Sequence, residues 1–262
     1  MIPLLLLACA RLPAHEVHPS AAAALAAVLE TRPKVLGIGE LHVSTADPGR
    51  ASTLSRFTSE LLPVLAPRTT DLALETWRVD PSCFAAVEVS AAVQEGTHRP
   101  PETRSELVLL VERAIELGVR PHDLVFACEE YARLTDEAGE VRYGELLSLV
   151  TARLQALAIE GLETPDATLV LYGGAVHNDV RPPEKTAAWS YGRALHERGG
   201  AAYVELDLLD PAALRAKPDL IEPGWAALLD HTGPDRALLH PRGPQSWVLL
   251  LPEGAQRPSS SP

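Results

Sequence analysis

Two glutamates and two histidines of this chain fall where apolar runs break off. Val35-Leu36-Gly37-Ile38-Gly39 gives way to Glu40-Leu41-His42, and Asp71-Leu72-Ala73-Leu74 gives way to Glu75-Thr76-Trp77. Ala167 to Tyr172 runs into Gly173-Gly174-Ala175-Val176-His177-Asn178-Asp179. In an extended segment residues two apart point the same way, so Glu40 and His42 can face one point while Leu41 turns inward. Carboxylates combined with imidazoles suit a borderline divalent ion such as Zn²⁺, Mn²⁺ or Co²⁺, which would lower the pKa of a bound water and create a hydroxide nucleophile near neutral pH. Without a metal, the same groups suit general-base activation of water. Each motif alone is common; convergence of titratable groups from three strand ends points to a site. Asp179 reads either as a further ligand or partner orienting His177, or as half of a turn-forming Asn-Asp pair. Glu129 and Glu130 also follow a strand and read as a solvated helix start.

Those runs need a frame. Ser20 reads as an N-cap for the Ala-rich stretch to Leu29, which Pro33 stops. Val35 to Gly39 is a buried strand whose glycines let another backbone or a ligand approach closely. Leu54, Phe57, Leu61, Val64 and Leu65 recur at helical spacing within 52–65, and the second strand ends at Glu75. Helices are expected over 81–94 and 102–117, the latter stopped by Gly118, then a strand over 124–127 and a helix over 145–162. Strand 167–172, helix 187–198 and strand 202–206 follow. A helix over 225–229 and two close strands, 237–240 and 246–251, complete the domain. Apolar strands alternating with helices predict an α/β fold: a largely parallel sheet flanked by helices on both faces, its last two strands forming an antiparallel edge. The expected organisation is an apolar segment over 1–18, one α/β domain over 19–252 with a helical insertion at about 80–165, and a disordered Pro/Ser tail over 253–262. In such sheets ligands bind beyond the carboxyl ends of the strands, where the glutamates and histidines lie.

The order Gly39-Glu40-Leu41-His42, Glu75 closing an apolar strand, and Gly174-Ala175-Val176-His177 resembles the superfamily containing the ChaN haem-binding uptake proteins, the TIKI/TraB proteins and the erythromycin esterases. It is most similar to the ChaN-like branch, where a Gly-Glu-x-His segment leads into a polar loop and helix. The resemblance covers most of the chain in order of elements, rests on three short motifs and leaves 80–165 unmatched. It implies a metal-dependent peptidase in the TIKI-like case, and a lactone esterase with a His/Glu-activated water in the erythromycin case. In the ChaN-like case it implies a non-catalytic haem-binding, iron-uptake protein. Its functional residues carry over to Glu40, His42, Glu75 and His177. The membrane anchoring of the TIKI type has no match, and for the esterases' additional arginine only Arg50 is a candidate, by proximity to His42.

The expected function is therefore a metal-dependent hydrolase of a peptide or ester, with haem binding as the alternative. Tyr131, Tyr172 and Tyr191 are the haem-ligand candidates. A chain of 262 residues, 46% hydrophobic, can bury a full core as one domain. Its formal charge of −12 argues against a nucleic-acid partner, because phosphate-backbone binding relies on Lys/Arg clusters. Three cysteines, Cys9, Cys83 and Cys128, are too few and scattered for a disulfide framework or thiolate metal site, so Cys83 and Cys128 read as small buried hydrophobes. Met1 to Ala10 is almost wholly apolar, and Leu6-Leu7-Ala8-Cys9 has the pattern of a lipoprotein processing site. It lacks a basic n-region and falls short of the ~20 residues needed to span a bilayer. Two readings stand: a truncated signal with Cys9 lipidated, anchoring the protein in the cell envelope, or an apolar tail on a cytoplasmic domain. Of the nine histidines, His15, His18, His122, His196, His231 and His240 read mostly as surface residues. His98 lies in a connecting loop, the alternative being a lid. Trp77 lines either a pocket or the core.

Overall fold

A computed structural model of the chain describes residues 12–41, 50–79, 102–134, 136, 141–164 and 168–254. In chain order the elements are β1 (Glu16–His18), α1 (Ala21–Leu29), β2 (Val35–Glu40), α2 (Thr53–Arg56) and, after a π-helical turn at Phe57–Leu61, α3 (Leu62–Leu65). Then come β3 (Thr69–Val79), α4 (Glu102–Glu116), β4 (Arg120–Phe126), α5 (Cys128–Ala132), α6 (Tyr143–Glu163), β5 (Thr168–Gly174) and the single turn α7 (Ala175–Asn178). α8 (Gly192–Gly199), β6 (Tyr203–Leu209), α9 (Pro211–Ala216), β7 (Ala237–Gly243) and β8 (Ser246–Leu250) complete them. The described residues form an eight-stranded sheet in the order β1-β7-β8-β6-β2-β5-β3-β4. Pairing is parallel from β8 to β4, and β7 runs antiparallel between β8 and β1. The fold is α/β, with the expected antiparallel edge.

β2 lies at the centre, flanked by β5 and β6. The chain leaves β2 for β3 on one side and leaves β5 for β6 on the other, and such a reversal opens a crevice at the carboxyl ends of the strands. Alternation along the strands divides the core. Leu36, Ile38, Leu72, Leu74, Val170, Tyr172, Val204 and Leu206 face α1, the segment 53–65 and α4. Val35, Ala73, Leu169, Leu171 and Tyr203 face α6 and α8. Leu209, Leu238, Val248 and Leu250 meet α9 and Trp225 at the antiparallel end. α1 starts where its side chain allows, the Ser20 hydroxyl accepting from the Ala23 N–H at 3.1 Å.

Several elements differ from expectation. β3 continues past Glu75 to Val79 because β4 pairs with it over Trp77–Val79, beyond where β5 has ended. The strand expected over 124–127, inside the stretch read as a helical insertion, is present as β4 and begins earlier, at Arg120. The helices of that stretch, α4 and α6, cover opposite faces of the sheet, as crossovers do. The helix expected over 187–198 is broken into a 3-10 segment, Glu184–Trp189, and α8, because the Ser190 hydroxyl is bonded to the backbone oxygens of Asp179 and His177. The helix expected at 225–229 is a 3-10 segment, Ala226–His231. β1 carries no hydrophobic alternation that would reveal it and is a strand because β7 pairs with it. Cys128, expected to be a small buried hydrophobe, is exposed at the start of α5 and disulfide-bonded. His240, expected at the surface, is buried and bonded through Nδ1 to the Ala14 carbonyl. The expected helix 81–94, Cys9, Cys83 and His98 lie outside the described residues, as do the processing-site motif and the tail from 255. Among the described residues no helix is long and apolar enough to cross a membrane.

Candidate functional site

A glycine pair at the middle of the sheet's carboxyl edge makes room for the site. Gly39 of β2 and Gly173 of β5 are register partners. A Cβ on Gly173 would lie 2.7 Å from both Cβ and Oε2 of Glu75, so that glutamate leans from β3 across β5. A Cβ on Gly39 would lie 2.5 Å from Oδ1 of Asp207, 2.6 Å from Oδ1 of Asn178 and 2.7 Å from Cα of Ala175. Asp207 thus leans over β2 from the other side, and the turn α7 rests directly on Gly39. Glu75 is fixed by accepting the N–H of Gly174, the residue that opens α7.

His177 sits in that turn, 1% exposed. Its Nδ1 lies 2.8 Å from the Trp189 carbonyl and 2.9 Å from Oγ1 of Thr151. The Thr151 hydroxyl is itself in reach of two carbonyls, Leu147 at 2.7 Å and Trp189 at 2.9 Å, so its proton goes to one of them and it accepts from the ring. Both contacts make Nδ1 the donor. In the neutral ring the lone pair then belongs to Nε2. Nε2 points at Oε1 of Glu75, 3.6 Å away, beyond hydrogen-bond length. Glu75 is 9% exposed, so both members of the dyad are buried, where charge acts strongly.

Glu40 is placed differently. It continues the Leu36–Ile38 alternation, and its Oε2 accepts from the Tyr172 hydroxyl at 2.7 Å. Tyr172 is held in turn by Phe57, ring centroids 4.2 Å apart, at the start of the π-helical turn. Glu40 therefore belongs to the opposite pleat from Glu75 and Asp207. Gly174 is the register partner of Glu40 and the backbone donor to Glu75. His42 lies outside the described residues. The structure brings Glu75 and His177 together and sets Glu40 on β2, across β5 from Glu75 and on the opposite pleat.

The residues that sequence reasoning missed lie on β6. Glu205 is fully buried and Asp207 is 4% exposed, on one face of an otherwise apolar strand. Arg242 of β7 contacts both: Nη2 pairs with Glu205 Oε1, and with Asp207 Oδ2 at 2.7 Å. Burial, reinforced by the Asp207 charge, pushes the Glu205 carboxyl up to about 8 despite Arg242. Burial pushes Asp207 up to about 6 against the opposing pull of Arg242 and Asn178. Asn178, fully buried, donates from Nδ2 to Asp207 Oδ1 at 2.9 Å and to the Gly37 carbonyl at 3.3 Å. The available signal was two carboxylates at i and i+2 inside a buried strand, a pattern that needs partners.

The other residues singled out have identifiable tasks. Asp179 accepts the Arg181 N–H at 2.7 Å and closes a turn. Arg50 donates from Nη2 to both oxygens of the buried Asp210, at 2.9 and 3.1 Å. Glu130 accepts the Ala127 N–H at 2.9 Å and pairs with Arg153 at 2.5 Å, while Glu129 is exposed, both at the start of a helix as expected. Trp77 packs partly buried against Phe126, ring centroids 6.0 Å apart. Tyr131, Tyr172 and Tyr191 are all buried, and Tyr191 packs edge-on against Tyr203. Among the described residues no three His, Cys, Asp or Glu stand close enough together to hold a metal ion by themselves.

No family model and no curated protein matches the chain. The crystal structure of a succinoglycan biosynthesis protein is similar over 71% of this chain and 68% of its own, at 11% identity and a TM-score of 0.34. A Bacillus cereus protein of known structure is similar over 87% of this chain and 72% of its own, at 12% identity and a TM-score of 0.32.

Proposed function

We propose that the chain is a hydrolase of an ester or amide, such as a peptide, that uses a divalent metal ion held by Glu75 and His177 together with His42, which lies outside the described residues, while Glu40 stands apart from the pair. The observation that carries the reading is the pairing of His177 Nε2 with Glu75 Oε1 at 3.6 Å while Nδ1 is committed elsewhere. Two bonds to one ion of about 2.0–2.2 Å at near-tetrahedral angles put their donor atoms roughly 3.3–3.6 Å apart, so the dyad fits as two members of a ligand set. A backbone carbonyl fixing the other ring nitrogen is the usual support for a ligating histidine. Glu75 and His177 supply two of the ligands, and His42 is the residue proposed to join them. When bound, the ion would lower the pKa of a water and polarise the carbonyl under attack. The chain's own contribution is orientation. The Gly174 N–H and the Tyr172 hydroxyl each fix one oxygen of a glutamate, and the buried surroundings keep charges effective.

Purified protein, analysed for metals and assayed on a panel of ester and peptide substrates before and after chelation, tests this. Bound Zn, Mn or Co, activity lost on chelation and regained with the ion, and loss of both in His177→Ala are expected. Activity indifferent to chelation would replace this reading by direct water activation through His177 and Glu75. Absence of both metal and activity would end it.

A further inference from the structure

The imidazole of His177 keeps its place only if the chain following it is held, and the charged residues of β6 and β7 hold it. Each β6 carboxylate divides its oxygens between two partners. Asp207 gives Oδ2 to Arg242 and Oδ1 to the Asn178 amide, the residue next to His177. Glu205 gives Oε1 to Arg242 and Oε2 to the Val180 N–H at 3.1 Å. Arg242 also touches Glu222 at 3.5 Å, and its carbonyl accepts from Arg181 at 2.8 Å. The hydroxyl of Tyr203, also on β6, donates to the Asn178 carbonyl at 2.7 Å. The fold does not demand such chemistry here. Val248 and Leu250 continue the same face with apolar side chains, and buried ion pairs are often replaceable by well-packed hydrophobes without loss of stability. Packing leaves a polar cost unmet as well: Oδ1 of Asn178 is buried without a hydrogen-bond partner among the described residues. An arrangement that spends two carboxylates, a guanidinium and a buried amide on residues 178–181 serves the placement of what precedes them.

We propose that Glu205, Asp207 and Arg242 form a clamp that positions His177, acting through Asn178 and Val180. Its role in turnover rests on the hydrolytic reading above. The clamp fixes the turn from the β6 side while Trp189 and Thr151 fix the ring from the α6 side, and together they aim Nε2 at Glu75. These three are positioning residues: among the described residues their side-chain hydrogen bonds and ion pairs run to Asn178, Val180, Glu222 and one another.

The test uses full-length protein with ¹⁵N-labelled histidine, the His177 signal being the one missing from His177→Gln. In the wild type that ring is expected as the Nδ1-protonated tautomer with one sharp set of shifts. In Asp207→Asn and Glu205→Gln the signal moves or broadens, and kcat falls roughly ten- to a hundredfold, with KM held within about twofold. Asp71→Asn, at the amino end of the sheet, leaves the His177 signal unchanged. Glu205→Gln keeps the test open should Asp207→Asn fail to fold, as judged by circular dichroism. A His177 signal superimposable on wild type in both folded variants overturns the proposal. The spectrum needs neither substrate nor metal, so it answers for the clamp even if wild-type protein proves inactive and the hydrolytic reading falls.

Discussion

Replacing Gly39 by alanine tests whether the site depends on a bare backbone at the middle of the sheet. The added Cβ would meet Asp207 Oδ1 at 2.5 Å, Asn178 Oδ1 at 2.6 Å and Ala175 Cα at 2.7 Å. The two oxygens end side chains that can swing, whereas Cα of Ala175 is backbone. To restore the 3.4 Å of an ordinary contact the α7 turn must retreat by about 0.7 Å, and it carries His177 with it. Overpacking of this kind costs about 1–3 kcal/mol, which for a chain of this length lowers Tm by roughly 2–10 °C. A displacement approaching 1 Å in a catalytic group costs about a hundredfold in rate, so activity falls far more than stability. Gly173→Ala presses instead on Glu75 and is expected to behave alike. Gly199→Ala is the control, because the nearest atoms to its Cβ belong to the flexible Leu162 side chain, at 2.9 Å, and not to the site. Thermal melts and initial rates on the three variants decide the matter. A Gly39→Ala protein that loses stability but keeps wild-type kcat would refute the claim that the α7 turn sets the geometry.

Three further outcomes follow from the same contacts. Glu205 and Asp207 carry pKa values raised by burial, so between about pH 4 and 8 the folded state binds more protons than the unfolded one, and their contribution to stability declines as pH rises. Urea midpoints measured at pH 5 and pH 8 check this: Glu205→Gln should flatten the difference, and an unchanged slope would count against the raised values. Asp71 behaves oppositely. Burial alone would raise it, but hydrogen bonds from Arg120, Thr70 and His122 outweigh that and hold it at about 2, so its stabilisation is present above pH 4 and lost as pH falls toward 2. Asp71→Asn should therefore lower the urea midpoint at pH 6 and converge with wild type near pH 2. Titration with haemin is expected to give no Soret shift through Tyr131, Tyr172 or Tyr191, since all three are buried. A Soret band abolished by substituting one of them would favour the haem-binding reading over the hydrolytic one.

The strand ends were legible because an apolar run that stops at a charged residue is a local signal, and Glu40, Glu75 and the 174–177 turn all show it. What the sequence withheld was relation between strands. Glu40 and Glu75 both follow apolar runs, yet they occupy opposite pleats, and only the register of β2 against β5 and of β5 against β3 reveals the parity. Asp207 escaped for a similar reason. A strand read as ending at Leu206 leaves Asp207 as a loop residue, whereas pairing with β2 and β8 carries β6 on to Leu209 and turns the aspartate into a buried group. Its partner Arg242 is supplied by β7, 35 positions later, through a hairpin whose placement beside β6 no local pattern announces.

That dependence on register has a consequence for the chemistry. Gly174 pairs with Glu40 across the ladder and donates its N–H to Glu75, so the register of β2 against β5 sets where along the sheet each glutamate leaves its strand. Because side chains alternate with period two, a slip of one residue between β2 and β5 would send Glu40 to the other face and put Ile38's face against α6. The two apolar layers on either side of the sheet forbid that slip: Leu36 and Ile38 belong to one core and Val35 to the other. The same burial that stabilises the domain therefore sets which face each glutamate occupies, and the glycines at 39 and 173 are tolerated in the sheet because α7 and Glu75 fill the space above them.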